Sequence, residues 1–189
     1  MEAAERIGFA LCGAFGAFKE AFAAAERLIE SGFELTPVFS ENAAGLDTRF
    51  GRGESHISHF EELCGARTLR TVAAAEDAVR KKRFGLLIIA PCTGNTLAKL
   101  ARGIADSTVT TAVKSQLAAG RPALIAPVAH DIFLTLRDDI SLLKKCSRIG
   151  FVPFRREKGE GEGERLKADF ENIPEMARRM LAAKGLPVL

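Results

Sequence analysis

The chain contains no tryptophan and no tyrosine among its 189 residues, which excludes acid–base chemistry through a phenol of its own. Its four cysteines, Cys12, Cys64, Cys92 and Cys146, form no CxxC pair and share no Cys/His ligand spacing. That pattern argues against a structural metal and for reduced, mostly buried thiols in a cytosolic protein. No apolar run approaches the roughly 20 residues that cross a bilayer. The opening Met1–Arg6 is acidic and Ala-rich, unlike a secretory leader, so the expected location is cytoplasmic. An excess of one charge is missing too. Lys and Arg number 27 against 24 Asp and Glu, for a net charge of +3. The basic residues are scattered, which removes the electrostatic case for a nucleic-acid or membrane partner.

What is present is an alternation of two periodicities. Arg6–Cys12, Glu34–Ser40, Leu86–Ala90, Pro122–Pro127 and Gly150–Phe154 are short apolar runs that read as strands, with Pro37 a local complication in the second. Between them Phe15–Ser31 carries one apolar stripe (Phe18, Phe22, Ala25, Leu28, Ile29) closed by Gly32. Further helices are expected near Thr96–Arg102, Thr108–Ala119, Ile132–Ile149 and Glu171–Lys184. Wholly apolar strands alternating with helices imply a parallel sheet covered on both faces. The expected fold is therefore α/β, a three-layer, doubly wound sheet of the Rossmann or flavodoxin-like kind, in a single domain spanning residues 1–189. Two stretches break the pattern. Glu41–Glu54 reads as a long polar loop with three glycines, and a mobile charged loop is expected over residues 155–165, around the KGEGEGE run at Lys158–Glu164.

In such a sheet ligands bind beyond the C-terminal strand ends. After the first strand come Gly13, Ala14, Phe15 and Gly16, where small residues let backbone approach a phosphate; the dinucleotide fingerprint GxGxxG is only partial, because its first position is Leu11. After the second come Ser40, Glu41 and Asn42, which suit a phosphate, a ribose diol or simple turn chemistry. The richest stretch follows Leu86–Ala90. Pro91, Thr93, Asn95 and Thr96, then Asp106 and Ser107, supply hydroxyls and an amide at a helix start. Asn95 or Thr96 could cap that helix and Asp106 the next, and capping does not exclude binding.

The segment PCTGNTLAKLARGIAD resembles the "PASANT…K…A.GIAD" signature of the flavin-containing cysteine-decarboxylase flavoproteins. The CGAFG turn and the PVAHD turn lie where that family has its other flavin-contacting segments. The resemblance implies FMN bound by the strand-end residues above, near the subunit interface of a homotrimer or an assembly of trimers. The decarboxylases' catalytic histidine has no counterpart in Thr71–Glu76, and their "PAMN" segment is replaced by Pro127-Val128-Ala129-His130-Asp131. A narrower resemblance is carried by Asp47-Thr48-Arg49-Phe50-Gly51, by Phe60–Gly65 and by Val152-Pro153-Phe154, which are similar to segments of the family formed by the B subunit of dipicolinate synthase. It runs from Ile7 to about Leu186. It implies a separate partner, the A subunit of dipicolinate synthase, which supplies NADP. It also implies a cyclic dicarboxylate substrate and a role in making dipicolinate during sporulation.

Three further groups are candidates. Arg49 offers a bidentate fork to a substrate carboxylate, or a salt bridge to the loop acids. His130 follows a strand end and could move a proton. His56 and His59 share a helix face, but no third metal ligand accompanies them, and no metal site is expected. Lys99 sits one turn beyond Asn95 and suits a salt bridge, and Cys92 suits a small buried thiol better than a nucleophile.

Overall fold

The structure, a computed structural model, describes residues 5–82, 84–128, 132–158 and 164–183. Its centre is a five-stranded parallel sheet of β1 (Arg6–Leu11), β2 (Glu34–Phe39), β3 (Leu86–Thr93), β4 (Ala123–Val128) and β5 (Ile149–Phe151). The spatial order is β2-β1-β3-β4-β5, which is the flavodoxin-like arrangement.

The apolar runs explain the layering. Alternate residues of a strand point to opposite faces. Ile7, Phe9, Leu11, Leu86, Ile88 and Ala90 pack on one side with α1 (Phe18–Glu30), α3 (Gly53–Cys64) and α8 (Ile173–Ala182). Ala10, Leu87, Ile89, Ala123 and Ile125 pack on the other with α4 (Val72–Lys82), α6 (Thr108–Ala118) and α7 (Ile132–Leu143). Each large aliphatic side chain removed from water contributes about 1.5–3 kcal/mol, so continuous apolar strands are what a sheet covered on both faces requires. Pro37 is tolerated because β2 is outermost in the sheet. Its carbonyl still accepts from Leu69 N at 2.9 Å, while the following Phe39 N donates to Leu69 O at 2.9 Å.

The differences from the sequence reading are local. Glu41–Glu54 is not one loop. Ser40 caps a single-turn helix α2 (Glu41–Gly45) by accepting from Ala43 N, and α3 begins at Gly53. Gly53 permits this closeness, since a Cβ there would lie 2.3 Å from Ala44 O. Helix α5 (Gly94–Ala101) starts earlier than Thr96 because Thr93, not Asn95 or Thr96, is its cap. Ser107, not Asp106, caps α6, in a reciprocal capping box with Thr110. Helix α4 carries its apolar residues as alanines and Val79, too weak a stripe to announce it. The last strand stops at Phe151, and Phe154 opens β6 (Phe154–Lys158), which pairs antiparallel with β7 (Glu164–Ala168). These strands take up both ends of the stretch 155–165 that reads as a loop in the sequence, and its centre, 159–163, lies outside the described residues. Lys167 of β7 ion-pairs with Glu20 on α1, tying the hairpin to the sheet's helical layer.

Phe60 is the aromatic hub of that layer. It is fully buried, with ring centroids 4.2 Å from Phe22, 5.6 Å from Phe39 and 5.8 Å from Phe9. Phe60→Ala should cost about 3–5 kcal/mol of stability. Urea denaturation followed by far-ultraviolet circular dichroism measures it, and a loss under about 1 kcal/mol would mean this core is not held as described.

Candidate functional site

The strand order creates a crevice where β1 and β3 lie side by side and their connections leave toward opposite faces. Two ladder bonds continue past the strand ends. Ser40 N donates to Leu11 O at 2.9 Å and Cys12 N donates to Pro91 O at 3.0 Å. They hold the three strand-end segments at one level. A register shift between Ile89 and Cys92 bends β3 there.

Gly13, Ala14 and Phe15 leave β1 in a tight turn, with Ala14 N donating to Cys12 O at 2.7 Å. A Cβ on Gly13 would stand 3.3 Å from Asn42 Cβ and 3.6 Å from Phe15 Cε2. The first two strand-end segments therefore touch, and only a very small residue fits at position 13. On the other side Thr93 Oγ1 accepts from Thr96 N at 3.3 Å and donates to Thr96 Oγ1 at 3.0 Å. The cap satisfies Thr96 N and leaves Gly94 N and Asn95 N as first-turn donors of α5, beside the Thr96 hydroxyl. These are neutral donors at a helix start, suited to an anionic oxygen.

Beneath them lie two cysteines, Cys12 and Cys92, 1% and 0% exposed. The hydrogen bond between them, then burial, hold the Cys92 thiol well above its ordinary range. Cys92 is a floor residue, not a nucleophile. Burial likewise pushes the Cys64 thiol up to about 12.

Several polar residues expected at a ligand are committed to one another. Lys99 Nζ spans both carboxylate oxygens of Asp106 at 2.8 and 3.0 Å, and the ammonium holds that carboxyl below its usual range. Ser107 is engaged in the α6 capping box. Glu41 is the strand-end acid whose role the sequence leaves open. Its Oε1 accepts from Thr108 N at 2.8 Å and from Thr108 Oγ1 at 2.7 Å, 67 positions away. The acid at the end of β2 that could hold a ribose diol is thus partly used in seating the start of α6. Together with the incomplete glycine fingerprint, this disfavours a nicotinamide dinucleotide in the crevice itself.

Arg49 lies outside this core. It sits in the turn closed by reciprocal Thr48–Gly51 bonds at 2.9 and 3.0 Å, its guanidinium 4.8 Å from the Phe50 ring centroid. No acid pairs with it among the described residues. His130 lies outside the described residues. His56 and His59 are placed by aromatic contacts. They meet phenylalanines of α1, with His59 stacked on Phe22 at 4.3 Å and His56 edge-on to Phe18 at 4.9 Å. Among the described residues no group of three or more His, Cys, Asp or Glu gathers to hold a metal, and no helix is long and apolar enough to cross a membrane.

The flavoprotein family profile matches residues 1–155. The chain belongs to the flavoprotein family. It is 28% identical to the B subunit of dipicolinate synthase from Bacillus subtilis (strain 168) over 186 residues, 98% of this chain and 93% of that protein. The crystal structure of the corresponding B subunit from Bacillus halodurans C superposes with a TM-score of 0.83, at 27% identity, covering 95% of this chain and 92% of that one. An FMN-dependent cysteine decarboxylase has the same fold, with a TM-score of 0.68 at 24% identity over 96% of this chain and 98% of that one. In open sheets of this strand order the crevice over β1 and β3 is the general ligand position.

His56 gives a pH prediction. Burial first, and the neighbouring His59 second, hold its imidazole below the ordinary 6.5. The unfolded chain therefore takes up this proton at a higher pH than the folded one. The stability His56 contributes is complete above pH 6.5 and declines as the pH falls through that value, until the folded form is protonated too. Nuclear magnetic resonance of the imidazole should show a midpoint under 6.5, and His56→Gln should flatten the acid side of the stability profile. A midpoint at or above 6.5 contradicts the burial.

Proposed function

We propose that this chain is the flavoprotein-type component of a dipicolinate-forming oxidoreductase, working with the nicotinamide-binding A subunit of dipicolinate synthase on a cyclic dicarboxylate. One observation carries the reading. The Gly13, Ser40 and Thr93 segments converge on a neutral, donor-rich crevice at the sheet's switch point, in a chain alignable almost end to end with the B subunit of that enzyme.

The residues present fit FMN. Gly13 keeps the first turn open, since a Cβ would press on Asn42. The first-turn amides of α5, the Thr96 hydroxyl, Asn95 and the exposed Asn42 supply donors for a phosphate and polar ring edges. When bound, FMN supplies reversible two-electron redox chemistry. The chain's part is to orient it, with Phe15 and Pro91 as apolar walls and the buried thiols as floor. NADP is assigned to the A subunit, consistent with the commitment of Glu41 to α6. Self-association into a trimer or a multiple of one is part of the reading, and the half-exposed Leu46, Ile104 and Leu142 offer apolar surface for it. A cytoplasmic, sporulation-linked setting belongs to the same proposal. A decarboxylase acting on a cysteine-containing substrate is the alternative. The absence of histidine from residues 71–82, the approach to β3, disfavours it.

FMN should bind the purified protein at micromolar concentration with quenching of flavin fluorescence, and the holoprotein should scatter light as a trimer or a multiple. No change in flavin fluorescence at those concentrations, or a monomer mass throughout, would remove the corresponding part of the reading.

Arg49 tests the substrate class. A carboxylate leaving water needs a cationic or N–H partner, and among the described residues this guanidinium rests against Phe50 with no acid beside it. In steady-state assays of the A subunit mixed with each variant, Arg49→Ala should lower kcat/KM by about tenfold to a hundredfold while leaving FMN binding intact. Arg49→Lys should recover only part, because a point charge lacks the bidentate fork. Unchanged kcat/KM in Arg49→Ala would return Arg49 to the solvated surface.

A further inference from the structure

We propose that the cavity between the start of α1 and the first turns of α3 is a second binding site, for a planar unsaturated ring bearing carboxylate, sharing Phe15 with the flavin crevice. The cavity measures about 480 Å³, within the range of small-molecule sites. Its walls are aromatic on every element that forms it. Phe15, Phe18 and Phe22 come from the start of α1 and the turn before it, His56 and His59 from α3, and Phe50 from the intervening turn.

The rings pack partly on one another, so the wall they form is aromatic and not aliphatic. Phe22 and His59 stack at an interplanar angle of 27°, and Phe15 and Phe18 lie 5.0 Å apart at 39°. Phe50 is 49% exposed, with the Arg49 guanidinium 4.8 Å from its ring centroid. It lies over Gly16, where a Cβ would stand 3.5 Å from Phe50 Cζ. Aliphatic ligands would gain only contact area from such walls, whereas a flat π-system gains offset stacking as well.

Charge then selects among flat ligands. Lys19 lines the cavity and Arg49 adjoins it through Phe50, and neither is paired with an acid among the described residues. Glu26 is the one acid at the rim among the described residues, and nearby Asp47 is occupied in accepting from Gly53 N at 3.1 Å. The site therefore favours an anion. A third sign is the buried Nε2 of His56, which has no hydrogen-bond partner among the described residues. A Cβ on Gly51 would come within 2.9 Å of it, and Gly51 has φ +134°, so the Thr48–Gly51 turn closes directly on the imidazole. A ligand that shifts this turn brings Arg49 and Phe50 with it and gives Nε2 access to a polar partner.

Phe15 connects the two sites. It lines this cavity, and its Cε2 lies 3.6 Å from where a Gly13 side chain would begin. A ring acid held here stands next to the proposed flavin crevice. The inference deepens the proposed function and rests on it for the identity of the ring acid, though not for the existence of the site.

The test is calorimetric titration of FMN-saturated protein with pyridine-2,6-dicarboxylate and with its saturated counterpart, piperidine-2,6-dicarboxylate. The pyridine acid should bind, with the saturated ring at least about tenfold weaker because it cannot stack. Phe50→Ala and Lys19→Ala, both at exposed positions, should each weaken the pyridine acid about tenfold and leave FMN affinity unchanged. Absence of binding at millimolar pyridine acid, equal binding of the two rings, or variants that bind like the parent would each overturn the site. If flavin does not bind, the titration is run on the protein alone. Ring-acid binding with these variant effects would then uphold the site while the flavoenzyme reading fails. Product formed in the presence of the A subunit, yet insensitive to Lys19→Ala and Phe50→Ala, would uphold that reading and sink the site.

Discussion

The backbone ladder that holds β1 between β2 and β3 is the constraint from which the rest follows. Its last rungs, Ser40 N to Leu11 O and Cys12 N to Pro91 O, set the height at which three loops leave the sheet. Were β1 at an edge, the Gly13 and Thr93 segments would have no common crevice. Apolar packing keeps the ladder dry. Both faces of β1 and β3 are fully covered, so their amides have no water to turn to and must pair with one another. The rigid floor, including the Cys12–Cys92 pair, is a consequence of that coverage.

Above the floor, the molecule divides its polar groups into those that build the crevice and those left to act. Glu41 seats α6, Lys99 neutralises Asp106, and Thr93 and Ser107 cap their helices. These bonds fix loops that would otherwise have to be ordered at the moment of binding. The first-turn amides of α5, the Thr96 hydroxyl, Asn42, Arg49 and Lys19 remain. The first three favour an anionic, polar cofactor, and the two cations favour an acidic ligand arriving from the α1–α3 side.

The aromatic composition takes on meaning in that light. With no tryptophan or tyrosine, phenylalanine and histidine carry all ring packing. Phe60 anchors the α1–α3 layer in the core, while Phe15, Phe22, Phe50 and His59 line its outer end. The same contact between two helices thus supplies stability at one end and a ligand-sized hollow at the other.

The five strands and most helices were legible along the chain because apolar runs and the 3.6-residue stripe are local properties, written within a few residues of one another. Strand-end positions such as Gly13 and Thr93 were legible for the same reason, once a parallel sheet was implied. The helical content of Glu41–Glu54 was not, since α2 is a single turn held by the Ser40 cap and α3 begins where Gly53 packs on Ala44. Helix α4, built on alanines, carried too little hydrophobic contrast to declare itself. Composition and periodicity determined the layers, the parallel sheet and the candidate loops. Only the tertiary structure decided that β1 neighbours β3, that Glu41 belongs to Thr108 and Lys99 to Asp106, and that His56 and His59 pack against phenylalanines of α1. Such pairings join residues distant in sequence, and nothing local to either partner distinguishes a side chain that will be spent on a neighbour from one that will be left for a ligand.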